Sequence, residues 1–168
     1  IIICDHLSPN VMGAYGDARG ATPNMDRIAA QGVAFGRAYT TFPLCQPARA
    51  SFWSGLLPHQ TRVLSNGQLH ENGPLPDDLV TVGDLFAGAG YRAIHFGKTH
   101  DFGTLRGFEI IPQEQRPSDP PPHPAYPENA DTWKDNVTVE QVVDWLSQEH
   151  DEPFIAVADM QNPHNICG

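Results

Sequence analysis

Four short stretches of this chain carry side chains that could act together on an anion. Cys45, Pro47 and Arg49 stand at alternate positions within Thr41-Phe42-Pro43-Leu44-Cys45-Gln46-Pro47-Ala48-Arg49-Ala50-Ser51. Proline suits the first turn of a helix, here running to about Ser54, which puts Cys45 near that helix's N-terminus. Free backbone N–H groups and the positive dipole end gather there and favour a thiolate or a bound anion. Arg49, one turn further, offers a planar fork for tetrahedral oxyanions. Spacing alone equally allows an inert thiol at Cys45 and a surface ion-pair partner at Arg49. The other polar candidates each trail an apolar run: Asp5 and His6 after residues 1–4, Lys98 and His100 after 91–97, and His164 after 154–158.

The elements that must position them alternate in type. Residues 1–4 predict a short, fully buried strand. Thr22-Pro23-Asn24-Met25-Asp26-Arg27 opens a helix with Thr22 as cap and Pro23 in the first turn, and Gly32 closes it. Residues 33–39 predict a second strand, weakened by Gly36. Thr81 and Asp84 make a capping pattern for a helix ending near Gly90. Residues 91–96 form the next strand, stopped by Gly97. Thr138 and Gln141 suggest a second capping box, followed by an apolar stripe of Val139, Val142, Val143 and Leu146. Residues 154–158 make the last strand. Seven prolines within 112–127 forbid regular structure and predict a long surface excursion. Alternating strand and helix predicts an α/β fold with a mostly parallel sheet, whose ligands gather beyond the carboxyl ends of the strands.

Composition narrows the function classes. The 168 residues carry 10 Lys+Arg against 20 Asp+Glu, a net charge of −10. That balance excludes a general nucleic-acid or anionic-membrane surface, yet it permits one local cationic pocket. No run approaches transmembrane length. Cys4, Cys45 and Cys167 are odd in number and widely spaced, which matches neither a disulfide framework nor a CxxC metal pattern. Asn136-Val137-Thr138 matches the glycosylation sequon, a triplet that arises often by chance. Residue 1 is not Met and both ends break off abruptly, so the chain is expected to be a fragment with any targeting segment outside it.

Cys45-x-Pro47-x-Arg49 resembles the C-x-P-x-R signature of the type I, formylglycine-dependent sulfatases. Three further segments resemble that family in the same order: residues 22–35 its TPNLDRLAxxGvxF helix, residues 90–100 its GYxTxxxGKxH segment, and Asn162-Pro163-His164 its later PH motif. The resemblance implies an alkaline-phosphatase-like sandwich, of which residues 1–168 would be the N-terminal part of one catalytic domain. It implies hydrolysis of sulfate esters, small molecules or sulfated glycans, by a formylglycine made from Cys45 by a formylglycine-generating enzyme. Arg49 would position its hydroxyls, Lys98 would contact sulfate and nucleophile, and His100 would help collapse the covalent intermediate. His164 would contact sulfate or assist the leaving oxygen. Asp5, and residue 45 once converted, would bind a divalent metal, calcium in most relatives.

Two departures stand against this pattern. His6 occupies a position where the family usually has Asp or Gln; imidazole is a poor calcium ligand, so His6 either binds another divalent metal or does not ligate. The family's remaining metal ligands and a second sulfate-binding lysine lie further downstream and match nothing here, so this stretch alone is expected to be inactive. Two alternatives follow: a phosphonate or phosphate ester hydrolase of the same superfamily, or an inactive truncated scaffold. His59, His70, His95 and His123 fit no motif role, and Asp17 suits a loop-capping carboxylate.

Overall fold

A computed structural model describes residues 1–67, 74–114 and 133–164. Four strands, β1 (Ile2–Cys4), β2 (Arg92–Gly97), β3 (Glu109–Ile111) and β4 (Phe154–Met160), pair in the order β1-β4-β2-β3. Every pairing is parallel, with Cys4 opposite Met160 and Gly97 opposite Asp159. The described helices are α1 (Pro23–Gln31), α2 (Cys45–Ser54), α3 (Pro58–Thr61), α4 (Val82–Gly88) and α5 (Trp133–Leu146).

Strand β4 shows how the sheet acquires two apolar faces. Side chains alternate along a strand, so Ile155 and Val157 join Trp53 of α2, Ala93, Leu105 and Phe108 on one side, with Val82 and Phe86 of α4 packed alongside. Ala156 faces the other way, toward Ile94, Phe96 and Trp145 of α5. Fully burying aromatic or branched side chains of this size stabilises a fold by about 1.5–3 kcal/mol each. The central strands are therefore covered on both faces, as parallel sheets require. Asp159 continues the Ile155–Val157 side, which aims its carboxylate at α2.

Several expectations change. Residues 33–39 form no strand: Val33, Phe35 and Tyr39 are exposed, and among the described residues no strand pairs with them. An apolar run becomes a strand only where a neighbour completes its ladder. Strand β1 lies at the sheet edge with Ile2 65% exposed, so it is not the fully buried strand expected. Helix α5 begins at Trp133, five residues before the anticipated cap. Thr138 is an interior residue whose hydroxyl donates to the Lys134 carbonyl (2.9 Å). The buried face of α5 is Trp133, Val137, Thr138 and Trp145, while Val139, Val143 and Leu146 are exposed. The sequon Asn136–Thr138 therefore lies within a helix, its threonine buried.

Thr22 does not cap α1 with its side chain. Its hydroxyl instead accepts from Gly13 N (3.0 Å) and donates to Asp26 Oδ1 (3.0 Å), which also accepts from Ala14 N (2.8 Å). The Thr22-Asp26 pair thus braces the helical turn Gly13–Tyr15. The Thr81–Asp84 capping box is present as expected, with Thr81 Oγ1 accepting from Asp84 N (3.2 Å) and Thr81 N donating to Asp84 Oδ2 (2.9 Å). Asp17 accepts from Arg19 N (3.3 Å) in its loop, also as expected. Residues 115–132, which hold most of the anticipated proline-rich excursion, lie outside the described residues, as do His70, His123 and Cys167. Cys4 and Cys45 are free thiols. No described helix is long and apolar enough to cross a membrane.

Candidate functional site

The carboxyl ends of β1, β2 and β4 converge with the N-terminus of α2. Helix α2 starts at Cys45, as anticipated, after extended Leu44, and Gln46 N donates to Asn66 Oδ1 (2.9 Å). Cys45 is partly buried and shares a cleft of about 710 Å³ with Asp5, His6, Thr41 and Arg49. Arg49, one turn along α2, faces the sheet.

Arg49 is 8% exposed and its fork grips fully buried Asp159: Nη1 to Oδ2 at 2.5 Å and Nη2 to Oδ1 at 2.9 Å. Burial works against the guanidinium's charge, but the hydrogen bonds and charge of Asp159, with Asp5 and Cys45 nearby, outweigh it and raise its pKa further. Paired planar groups of this kind set direction as well as charge. The surface ion-pair reading of Arg49 is thereby replaced by a buried one.

Lys98 follows β2 through Gly97, whose φ is +99°. A Cβ on Gly97 would fall 2.0 Å from the Asp159 carbonyl oxygen, and that same oxygen accepts from Lys98 N (2.9 Å). Only glycine fits both the close approach and the left-handed backbone. The turn sends the buried Lys98 ammonium to Asp5, where Nζ donates to Oδ2. Arg49 Nη2 also lies 3.8 Å from that carboxylate oxygen. Burial tends to raise the Asp5 pKa, but the Lys98 hydrogen bond and the charges of Lys98, Arg49 and His164 prevail and hold it below the usual carboxylate range.

His100 is pushed below its ordinary 6.5, first by burial and then by the positive charges of Lys98 and Arg49, which outweigh the nearby Asp5 carboxylate. With the Gln46 amide oxygen turned toward it, His100 Nε2 donates across 3.1 Å, while the same amide's nitrogen donates to Ser65 and Gly67 carbonyls. His164 N donates to the Asp5 carbonyl (3.1 Å), which draws the turn after β4 against the turn after β1. The His6 and His164 rings stand 4.5 Å apart, and one donor atom from each lies within 4.8 Å of the other and of Cys45 Sγ.

Of the seven anticipated site residues, Asp5, His6, Cys45 and Arg49 line the cleft, and Lys98, His100 and His164 adjoin it through Asp5 and Gln46. Asp5, Arg49 and Lys98 form a largely buried ionic cluster; His6, Cys45 and His164 form a more open group, and His100 is tied to α2 through Gln46. Asp159, Gln46 and Asn66 were not anticipated. An aspartate in the otherwise apolar Phe154–Met160 run was the available signal, because a carboxylate inside a buried strand requires a partner. His95 is also fully buried, its Nε2 3.4 Å from Asp159 Oδ2 and its ring beside Trp53 and Phe108.

The donors test the metal expectation. Calcium takes six to eight oxygens, whereas the carboxylates of this cluster are Asp5, held by Lys98, and Asp159, held by Arg49. The remaining donors are two imidazoles and a thiol. These residues by themselves do not fit calcium.

The sulfatase family model matches residues 1–167. A Delta 4,5-hexuronate-2-O-sulfatase of Bacteroides thetaiotaomicron is 49% identical over 168 residues, all of this chain and 34% of the relative. The solved structure of a 2-O GAG sulfatase superposes with a TM-score of 0.86 at 49% identity, over 99% of this chain and 35% of that one. A structure solved with its substrate D-glucosamine-2-N,6-O-disulfate shares the fold, with a TM-score of 0.74 at 23% identity over 98% of this chain and 34% of that one. The chain spans about a third of the length of these relatives. Its sequence and its parallel sheet with the strand-end cluster agree in one assignment: the chain belongs to the sulfatase family and has the alkaline-phosphatase-like fold.

Proposed function

We propose that the full-length protein containing this chain hydrolyses a sulfate ester, and that its substrate is a 2-O-sulfated, unsaturated hexuronate in a glycan fragment. The observation that carries this is the Cys45-x-Pro47-x-Arg49 segment, wound as the first turns of α2 beside Lys98 and Asp5. The substrate class rests on the 49% identity to the hexuronate-2-O-sulfatase along the whole chain.

Residue 45, converted to formylglycine by a formylglycine-generating enzyme, would supply a hydrated aldehyde as nucleophile toward sulfur. The helix N-terminus beneath it favours the negative charge of the substrate and of an ionised hydroxyl. Arg49, fixed by Asp159, holds a guanidinium edge at the base of the cleft with little freedom to reorganise, the condition under which a charge stabilises a transition state most. Lys98 supplies a second cation for the sulfate oxygens. His100 accepts the proton of the second hydroxyl as the sulfated aldehyde hydrate collapses, expelling sulfate and restoring the aldehyde. His164 would contact sulfate or assist the leaving oxygen. A divalent cation, expected from the family resemblance, would stabilise anionic oxygens; Asp5 is the carboxylate here that would meet it, and His6 is left outside that set.

The test is turnover by the full-length protein on an unsaturated 2-O-sulfated disaccharide, its 6-O-sulfated isomer, and an aryl phosphonate monoester. Sulfate release from the 2-O isomer at least tenfold faster than from the others is expected. Preference for the phosphonate would select the other hydrolase reading, and no turnover by protein carrying formylglycine would reject both.

A further inference from the structure

The donor set that fails calcium suits a different ion. The geometry points to a zinc site formed by His6, Cys45 and His164 while Cys45 is still a thiol. Their donor atoms all lie within 4.8 Å of one another. Ligands 2.0–2.3 Å from a common tetrahedral ion stand about 3.3–3.8 Å apart, so side-chain rotations of the order of an ångström close the site. Two imidazoles and a thiolate are the ligand types of zinc and other borderline-soft divalent ions, and they disfavour calcium and magnesium.

The scaffold holds the three donors independently. Cys45 is the first residue of the ten-residue helix α2. His6 follows β1 in a left-handed conformation with φ +63°. His164 is tied to the β1 turn by its peptide N–H on the Asp5 carbonyl at 3.1 Å. The nearby cations do not bar the ion, because Lys98 is paired with Asp5 and Arg49 with Asp159. Three protein ligands leave one tetrahedral position for water.

Binding replaces the Cys45 S–H bond by an S–Zn bond and releases one proton, with no change of oxidation state. The zinc-bound thiolate is withdrawn from oxidants and alkylating agents. Conversion to formylglycine removes the sulfur, and the site with it. This inference concerns the thiol and stands whether or not Cys45 is ever converted.

The experiment uses full-length protein made in a host without the converting enzyme, with the Cys45 thiol verified by mass. Cobalt(II) added to metal-free protein should give thiolate charge-transfer absorption and the intense visible bands of a tetrahedral ion. One equivalent of zinc should abolish both, while a hundredfold excess of calcium should not. Zinc should slow alkylation of Cys45 at least tenfold, resolved from Cys4 by peptide mass, with a chelator restoring the rate. Cys45→Ser should remove the charge-transfer band. His6→Asn, which tolerates the left-handed backbone, and His164→Ala should each weaken zinc binding at least tenfold. Absence of charge transfer in the unsubstituted protein, displacement by calcium, or zinc affinity unchanged in both histidine variants would overturn the site.

Discussion

The two sides of the cleft are built differently. On the β2–β4 side, Arg49, Lys98 and Asp159 are buried, their charges are paired, and Gly97 is fixed by contact with a neighbouring strand. On the β1 side, His6 is exposed, Ile2 lies on an edge strand, and Val33, Phe35 and Tyr39 stand in solvent among the described residues. A site that must hold charge in one geometry gains from the first arrangement, because a buried, paired guanidinium reorganises little. The second leaves its side chains less constrained, and His6 lies on it. The buried side fixes the paired charges, and the open side carries the thiol and the two imidazoles.

Substitutions of the full-length protein can break this contrast, beginning with Asp159. Asp159→Asn leaves the buried Arg49 without its two-point carboxylate partner, with only Asp5 at 3.8 Å as counter-charge, and removing one partner of such a pair costs about 3–5 kcal/mol. Chemical denaturation should show a loss in that range, together with lower kcat. Gly97→Ala comes next: the left-handed backbone alone costs about 1–3 kcal/mol, and the added Cβ meets the Asp159 carbonyl oxygen. Its melting temperature should fall clearly.

The Asp5–Lys98 pair links the two sides and titrates. The folded Asp5 pKa lies below its unfolded value, so the stability it contributes is complete above about pH 4. That contribution is lost as pH falls through the folded value. Denaturation of Asp5→Asn between pH 2 and 7 should lack this part of the acid limb, and an acid limb identical to the parent's would refute the pairing. The smallest effect belongs to the open side. In the 168-residue chain, where its side chain is exposed, Tyr39→Ser should change stability by no more than about 0.5 kcal/mol, and a loss comparable to that of Asp159→Asn would erase the contrast.

Local chemistry explains what could be read from the sequence. The start of α2 at Cys45, the Thr81–Asp84 capping box and strands β2 and β4 depend on caps, turn residues and continuous apolar runs, all of which neighbours in sequence express. The start of α5 and the fate of residues 33–39 depend on what those segments pack against, and a 3.6- or 2-residue period does not say. Arg49 and Asp159 are 110 residues apart. Only the sheet order β1-β4-β2-β3 brings them together, so the arginine was legible as a site residue while its partner was not. The expected roles followed from family resemblance, and the division into a buried ionic cluster and an open His-Cys-His group came from the fold.

The central claim is that Cys45 is the precursor of the nucleophile. Peptide mass spectrometry of residue 45, in full-length protein from a host with the converting enzyme, addresses it most directly. Loss of sulfur and two hydrogens with gain of one oxygen lowers the mass by about 18 Da, opposite in sign to the oxygen additions of ordinary thiol oxidation. The account predicts that decrease, abolished in Cys45→Ser under the same host. A peptide that keeps the unmodified thiol mass in active enzyme would contradict it.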